Sequence, residues 1–141
     1  MHHIRPHVPL SCALLALVVA PSLPADTLVL LADRDNTLIE DPQPLSLGKA
    51  YDFYTGRVGV NGGGTRRRGL LRFDVAGQIP PGATITSAVL RLYMTQGNGT
   101  QLTAIKRLLA DWGEGTSFGF GGAGAPATEG DATWVHSFYP S

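Results

Sequence analysis

Cysteine is almost missing from this chain. The one thiol, Cys12, precedes an apolar run near the N-terminus. After it there is no sulfur for a disulfide, a thiolate metal site or a thiol nucleophile. Charge of one sign is missing too: charged residues make up 16% of the 141, and 11 basic residues cancel 11 acidic ones. That balance argues against a nucleic-acid-binding domain, which carries a basic excess. Long amphipathic helical patterns are absent as well. Hydrophobic residues at 43% exclude a disordered polyelectrolyte. The length fits one domain and leaves little room for a second. Glycine is what the chain has in quantity, 18 residues with 10 prolines, which points to many turns joining short strands.

Residues 1–25 read as an address rather than as fold. Arg5 and nearby histidines form a weakly positive start, residues 13–20 are an unbroken apolar run, and small residues follow. This is the layout of a secretory signal peptide, with cleavage after Ala25 or, alternatively, after Ser22. The run falls short of the roughly 20 residues that span a bilayer. Cys12 lies before the run, where a lipid-anchored cysteine would follow it. Removing residues 1–25 from the 141 leaves 116, with His136 as the remaining histidine and one acidic residue in excess. The expected location is extracellular or periplasmic, with no membrane association after cleavage.

Residues 26–141 read as one all-β domain. Residues 27–32 are short and apolar, 51–55 are rich in β-formers, and 69–75 read as a strand. Residues 79–83 form a turn, with proline setting φ and Gly82 free to take a positive value. The clearest strand is 84–95. There Ala88, Leu90, Leu92 and Met94 alternate with Val89, Arg91, Tyr93 and Thr95, the period of a half-buried strand. Gly97, Asn98 and Gly99 make a tight turn into a further strand over 102–109. Residues 112–131 hold seven glycines and no periodicity, and 133–139 read as a last strand with Trp134, His136 and Phe138 on one face. The sum is an antiparallel jelly-roll-like β-sandwich, whole or in part.

Two strings resemble catalytic or cofactor motifs. Gly115, Ser117 and Gly119 match the G-x-S-x-G of hydrolase elbows, and Asp131 and His136 follow in hydrolase order. The nucleophile elbow needs a helix after the serine, and the glycine-rich continuation cannot sustain one. Residues 119–124 match a dinucleotide-binding string without its strand, helix or later acidic residue. Both are read as chance matches within a glycine-rich stretch.

Arg66, Arg67 and Arg68 form the strongest charge feature. Guanidinium groups bind carboxylate and phosphate in two-point fashion, so the run is either a ligand contact or a solvated segment entering a strand. Asp33 and Asp35 near the first strand, and Asp111 and Glu114 beside the glycine-rich stretch, are candidate calcium ligands or plain surface carboxylates. Trp112 and Trp134 are candidates for stacking on sugar rings, helped by Tyr51, Tyr54 and Tyr139, or else core residues. Residues 98–100 match a glycosylation sequon and are read as a turn.

Taken together, residues 33–41, 68–75, 79–92, 111–117 and 130–134 resemble the DNRLRE-domain family of secreted bacterial proteins. The central block is the most specific: Arg68-Gly69-Leu70-Leu71-Arg72-Phe73-Asp74-Val75, followed by Ile79-Pro80-Pro81-Gly82-Ala83 and the strand pattern after it. The resemblance implies a jelly-roll sandwich outside the cytoplasm, of a kind attached to polysaccharide lyases and in some cases binding alginate-like acidic polysaccharide. It gives Arg66, Arg67 and Arg68 a purpose as uronate contacts, beside which Trp112, Trp134 and His136 stand as further candidate ligand contacts. Family members continue beyond the equivalent of Tyr139 with further strands, so the resemblance also implies the N-terminal part of a sandwich. The expectation is a non-catalytic secreted module binding acidic polysaccharide. The alternatives are a structural or adhesive module without a sugar site and, remotely, a serine hydrolase built on Ser117, Asp131 and His136.

Overall fold

The computed structural model describes residues 26–97 and 102–141. The expected signal peptide, the expected turn at Asn98 and Gly99 and the sequon lie outside the described residues. Five short strands form two antiparallel sheets. Strand β1 (Arg34–Ile39) pairs with β4 (Arg66–Arg72), which pairs on its other edge with β3 (Gly56–Arg57), while β2 (Leu45–Ser46) pairs with β5 (Ala125–Pro126). A single helical turn, α1 (Val75–Gln78), follows β4, with the Asp74 carboxylate accepting from the Gly77 amide. The arrangement is β-rich and antiparallel, as expected from the sequence.

The β1–β4 register distributes the side chains. Arg34 lies opposite Arg72, Asn36 opposite Leu70, and Leu38 opposite Arg68. Cross-strand partners point to the same face. One face therefore carries Asn36, Leu38, Arg68 and Leu70, and the other carries Thr37, Ile39, Arg67 and Gly69. On the first, Leu70, Trp112 and Ala132 form a small apolar cluster with Leu38 against it. On the second, a Cβ at Gly69 would meet the Phe53 ring at 2.3 Å, so only a hydrogen lets that ring lie flat on the strand.

Burial among the described residues is more polar than apolar. Five hydrophobic side chains are buried, against seven polar or charged ones: Asn36, Thr37, Ser46, Arg67, Ser117, Asp131 and Thr133. Such groups are tolerated inside only when hydrogen-bonded. None of their buried side-chain nitrogen or oxygen atoms lacks a partner among the described residues. Asn36 is the hub. Its amide nitrogen donates to the carbonyl of Glu114 at 3.0 Å and that of Gly113 at 3.4 Å. Its amide oxygen accepts from Ser46 Oγ at 2.9 Å, the Leu47 amide at 3.1 Å and the Thr37 amide at 2.6 Å.

Three sequence-based expectations need correction here. Residues 84–95 belong to no strand, and neither do 102–109 or 133–139. Period-2 alternation reports a local preference, whereas a strand also needs a neighbour for its N–H and C=O groups; both edges of β4 are already taken by β1 and β3. The first strand falls at 34–39 rather than at 27–32, because its polar residues are the ones the hub requires. The stretch 112–131 is no surface loop either. It contributes buried Trp112, Gly113, Ser117 and Asp131. Its glycines allow close backbone approach: a Cβ at Gly113 would sit 1.6 Å from the Gly130 carbonyl oxygen. The turn over 79–83 forms as expected, with Gly82 at φ +84° and the Ala83 amide donating to the Pro80 carbonyl.

Replacing Asn36 by alanine strands the amides of Thr37 and Leu47 and the Glu114 carbonyl, while the Gly113 carbonyl keeps the Ala132 amide. We expect a loss of about 3 kcal/mol or more in urea unfolding, against about 0.5 kcal/mol for a change at exposed Thr55. An Asn36→Ala cost below about 1 kcal/mol would remove Asn36 from its role as hub.

Candidate functional site

Strand parity splits the arginine run. Arg66 and Arg68 share one face of β4, and Arg67 turns to the other. Arg67 is buried, its Nε donating to the Gly122 carbonyl at 2.6 Å and its Nη1 to Thr65 Oγ1 at 2.8 Å. Burial draws its pKa below the usual arginine value, with Asp41 and Glu40 opposing. Arg67 therefore fastens the loop at Gly122 to the sheet and is unavailable to a ligand, contrary to the expectation from the run.

Arg66 is engaged by Glu40. Its amide donates to Glu40 Oε2 at 2.7 Å and its Nε lies 3.0 Å from both carboxylate oxygens. Hydrogen bonds from the Arg66 side chain and amide hold the Glu40 carboxyl well down, at about 2, and the same partner raises Arg66. Arg68 has no carboxylate partner among the described residues. Its guanidinium carbon lies 4.6 Å from the Trp134 ring centroid, and that of Arg66 lies 5.3 Å away. Each contact at a wet site contributes about 0.5–1 kcal/mol, and the indole fixes where the guanidinium fork sits. A stacked guanidinium keeps its in-plane N–H donors free for a carboxylate or phosphate.

Beside this pair opens a shallow cleft of about 390 Å³, floored by Leu38, Leu70 and Trp112 and walled by Trp134, His136 and Leu108. Trp112 is 6% exposed, so it belongs to the core and cannot stack on a ring in the cleft. Trp134 is half-buried and keeps contact with solvent. His136 Nδ1 shares a hydrogen bond with Thr133 Oγ1 at 2.8 Å, and its ring meets Tyr139 edge to face at 5.3 Å. Arg66, Arg68, Trp134 and His136 thus border one surface, without Arg67 and Trp112.

The other candidate groups do not assemble. Ser117 is 2% exposed and its Oγ accepts from the Gly48 amide at 3.1 Å. Asp131 is fully buried and accepts from the Thr128 amide and hydroxyl, while His136 bonds to Thr133. The Ser117 amide donates to Asp131 Oδ1 at 3.5 Å, but among the described residues no side-chain hydrogen bond links the Ser117 hydroxyl, the Asp131 carboxylate and the His136 ring. Of the four acids suggested for calcium, Asp33 pairs with Arg72, Asp111 with Arg34 at 3.6 Å and Glu114 with Lys49 at 2.6 Å, while Asp35 lies beside Glu114, whose Oε1 accepts from the Asp35 amide at 3.3 Å. Among the described residues no group of three or more histidine, cysteine, aspartate or glutamate side chains is placed to hold a metal ion.

Sequence reasoning missed an aromatic cluster. Phe118 lies edge to face with Tyr51 at 5.6 Å and with Phe120 at 5.1 Å, and Tyr51 and Phe120 are almost fully exposed. Two phenylalanines spaced by one glycine in a glycine-rich stretch were the available signal. Among the described residues no helix is long and apolar enough to cross a membrane. No family model, curated protein or solved structure matches the chain.

Asp35 gives the acid–base behaviour a sign. Burial, then the nearby Glu114 charge, push its carboxyl above the ordinary value, against a smaller opposing effect of Lys49. A raised carboxyl favours the folded state below the ordinary carboxylate range and costs stability as pH rises through the raised value. Glu40 works oppositely: its pairing contributes stability above the ordinary range that is lost as pH falls toward about 2. Asp35→Asn should therefore stabilise the chain near pH 7 and lose that advantage on acidification, whereas Glu40→Gln should destabilise it near pH 7. Urea midpoints across a pH series check both signs.

Proposed function

We propose that residues 26–141 are a secreted, non-catalytic module of the DNRLRE type, part or all of a jelly-roll sandwich, that binds acidic polysaccharide. The observation that carries the reading is the pair Arg66 and Arg68 ranged on the Trp134 indole at the rim of an open cleft. Arg68 supplies the carboxylate contact, because Glu40 already neutralises Arg66. Trp134 holds the fork in place, and the apolar floor accommodates the weakly polar face of a sugar ring. Residues 1–25 supply the export signal in this reading. Burial of the Ser117 hydroxyl against the Gly48 amide, with His136 bonded to Thr133 instead, supports a binding rather than a hydrolytic role.

A structural module without a sugar site is the second reading. Burial of Trp112 and engagement of Arg66 by Glu40 favour it, since each removes a contact from the proposed surface.

Affinity electrophoresis through alginate, polygalacturonate and a neutral glucan separates the two. The first reading expects retardation by the uronate polymers only, weakened by salt. Arg68→Ala and Trp134→Ala should each reduce affinity about tenfold, the loss of one charge-assisted contact or of the group that positions it. A sample that unfolds cooperatively yet is retarded by no polysaccharide would leave the structural reading standing and refute the binding one.

A further inference from the structure

Residues 84–97, which follow the turn at 79–83, carry a surface that the proposed sugar site does not use, whereas Leu108 and Leu109 farther along border the cleft. Over 84–97 and 102–110, no backbone N–H or C=O is hydrogen-bonded to another backbone group among the described residues. Of the side chains over 84–97, Thr95 makes a hydrogen bond, its Oγ1 donating to Asp52 Oδ1 at 3.5 Å. In the alternation, Val89 (78% exposed) and Tyr93 (93%) share one side, and Leu90, Leu92 and Met94 (72%) share the other, all exposed, as is Ile105 farther along. Apolar side chains on both sides of an extended backbone with vacant hydrogen-bonding edges form a template for another strand.

The charge pattern says what kind of strand. From 75 to 110 there is no aspartate or glutamate, while Arg91, Lys106 and Arg107 are all basic. A second copy of the chain fits poorly. Antiparallel pairing that aligns 88–94 with itself sets Ala88 against Met94 and places Arg91 directly opposite Arg91. Like charges directly opposite are destabilising. An acidic residue at that position converts the clash into a cross-strand ion pair and leaves the apolar alternation matched on both sides.

We propose that residues 84–97 form a strand-addition site for a different polypeptide, whose extended segment alternates apolar residues with carboxylates and sets one carboxylate against Arg91. Backbone hydrogen bonds supply the affinity, and the Arg91 pairing supplies the choice of partner.

A fluorescent peptide of about nine residues alternating valine and glutamate, the length of a long strand, serves as the probe. Titrated against the full chain, it should bind and raise the anisotropy. The same peptide with lysine in place of glutamate should bind about tenfold more weakly or not at all. A glutamate peptide with two central prolines, which cannot donate to the ladder, should not bind. Arg91→Glu, at an exposed side chain, should reverse the preference between the glutamate and lysine peptides. Arg68→Ala should leave binding unchanged. Equal binding of both charge forms, binding that survives the prolines, binding lost in Arg68→Ala, or no binding at all would each overturn the proposal. So would self-association of the full chain that Tyr93→Asp abolishes, which would assign the surface to a second copy.

Discussion

The side-chain amide of Asn36 is the constraint on which the rest of the described structure depends. Its two ends reach two other segments: the end of β2 through Ser46 and the Leu47 that follows it, and the backbone at Gly113 and Glu114. Ser46 extends the network, its one hydroxyl proton shared between the Asn36 side-chain oxygen and the Ala132 carbonyl at 2.8 Å. With only five buried hydrophobic side chains, apolar burial is a weak source of uniqueness here. A buried amide that must satisfy both its oxygen and its nitrogen admits few arrangements, and satisfied polar networks of this kind specify one packing over its neighbours. The glycines at 48, 113 and 115 belong to the same constraint. A Cβ at Gly48 would fall 1.6 Å from the Glu114 carbonyl oxygen, so the backbones meet where no side chain fits.

This network also sets the candidate surface. Holding Gly113 and Ala132 against β1 brings Trp112 onto Leu70 and leaves Trp134 two residues beyond a fixed point. The Thr133 hydroxyl then caps the turn by accepting from the amides of Val135 and His136, which orients the indole and the imidazole at one rim. Arg66 and Arg68 arrive from β4 at a height set by the pairing of Leu38 with Arg68. The surface is thus built on a strand and a hydrogen-bonded turn, which hold side chains with less latitude than a free loop would.

Legibility in the sequence followed range. The turn at 79–83 was readable because proline and glycine act within a few bonds, and β4 was readable in part: the strand expected over 69–75 shares 69–72 with the observed Arg66–Arg72, which begins within the arginine run. The strand character of 34–39 was not, because Asn36 and Thr37 look like loop residues until their partners near 46 and 114 are known. Residues 84–95 fail the other way: the alternation is strong, but pairing is a property of two segments and no neighbour is present among the described residues. The glycine-rich stretch was the hardest. Its glycines serve contacts between distant backbones, and no local pattern records that. For the site, the residue types were legible and their grouping was only half so. Trp112 and Trp134 differ in fate through burial, which composition does not show.

The arginine run shows why a charge cluster is a poor unit of function. Three identical side chains in sequence have three electrostatic fates. Arg67 gives up water for three protein acceptors and loses basicity through burial; Arg66 gains a carboxylate and becomes more basic; Arg68 keeps its fork free of any carboxylate, over an aromatic ring. The first difference follows from strand parity alone, which any reader of the sequence could apply once the strand is granted. The second depends on Glu40, which lies one residue past β1 and meets Arg66 only because the antiparallel register continues by one step. The surface therefore offers one guanidinium without a carboxylate partner, set over the indole, and the neighbouring charges serve to hold the strand that carries them.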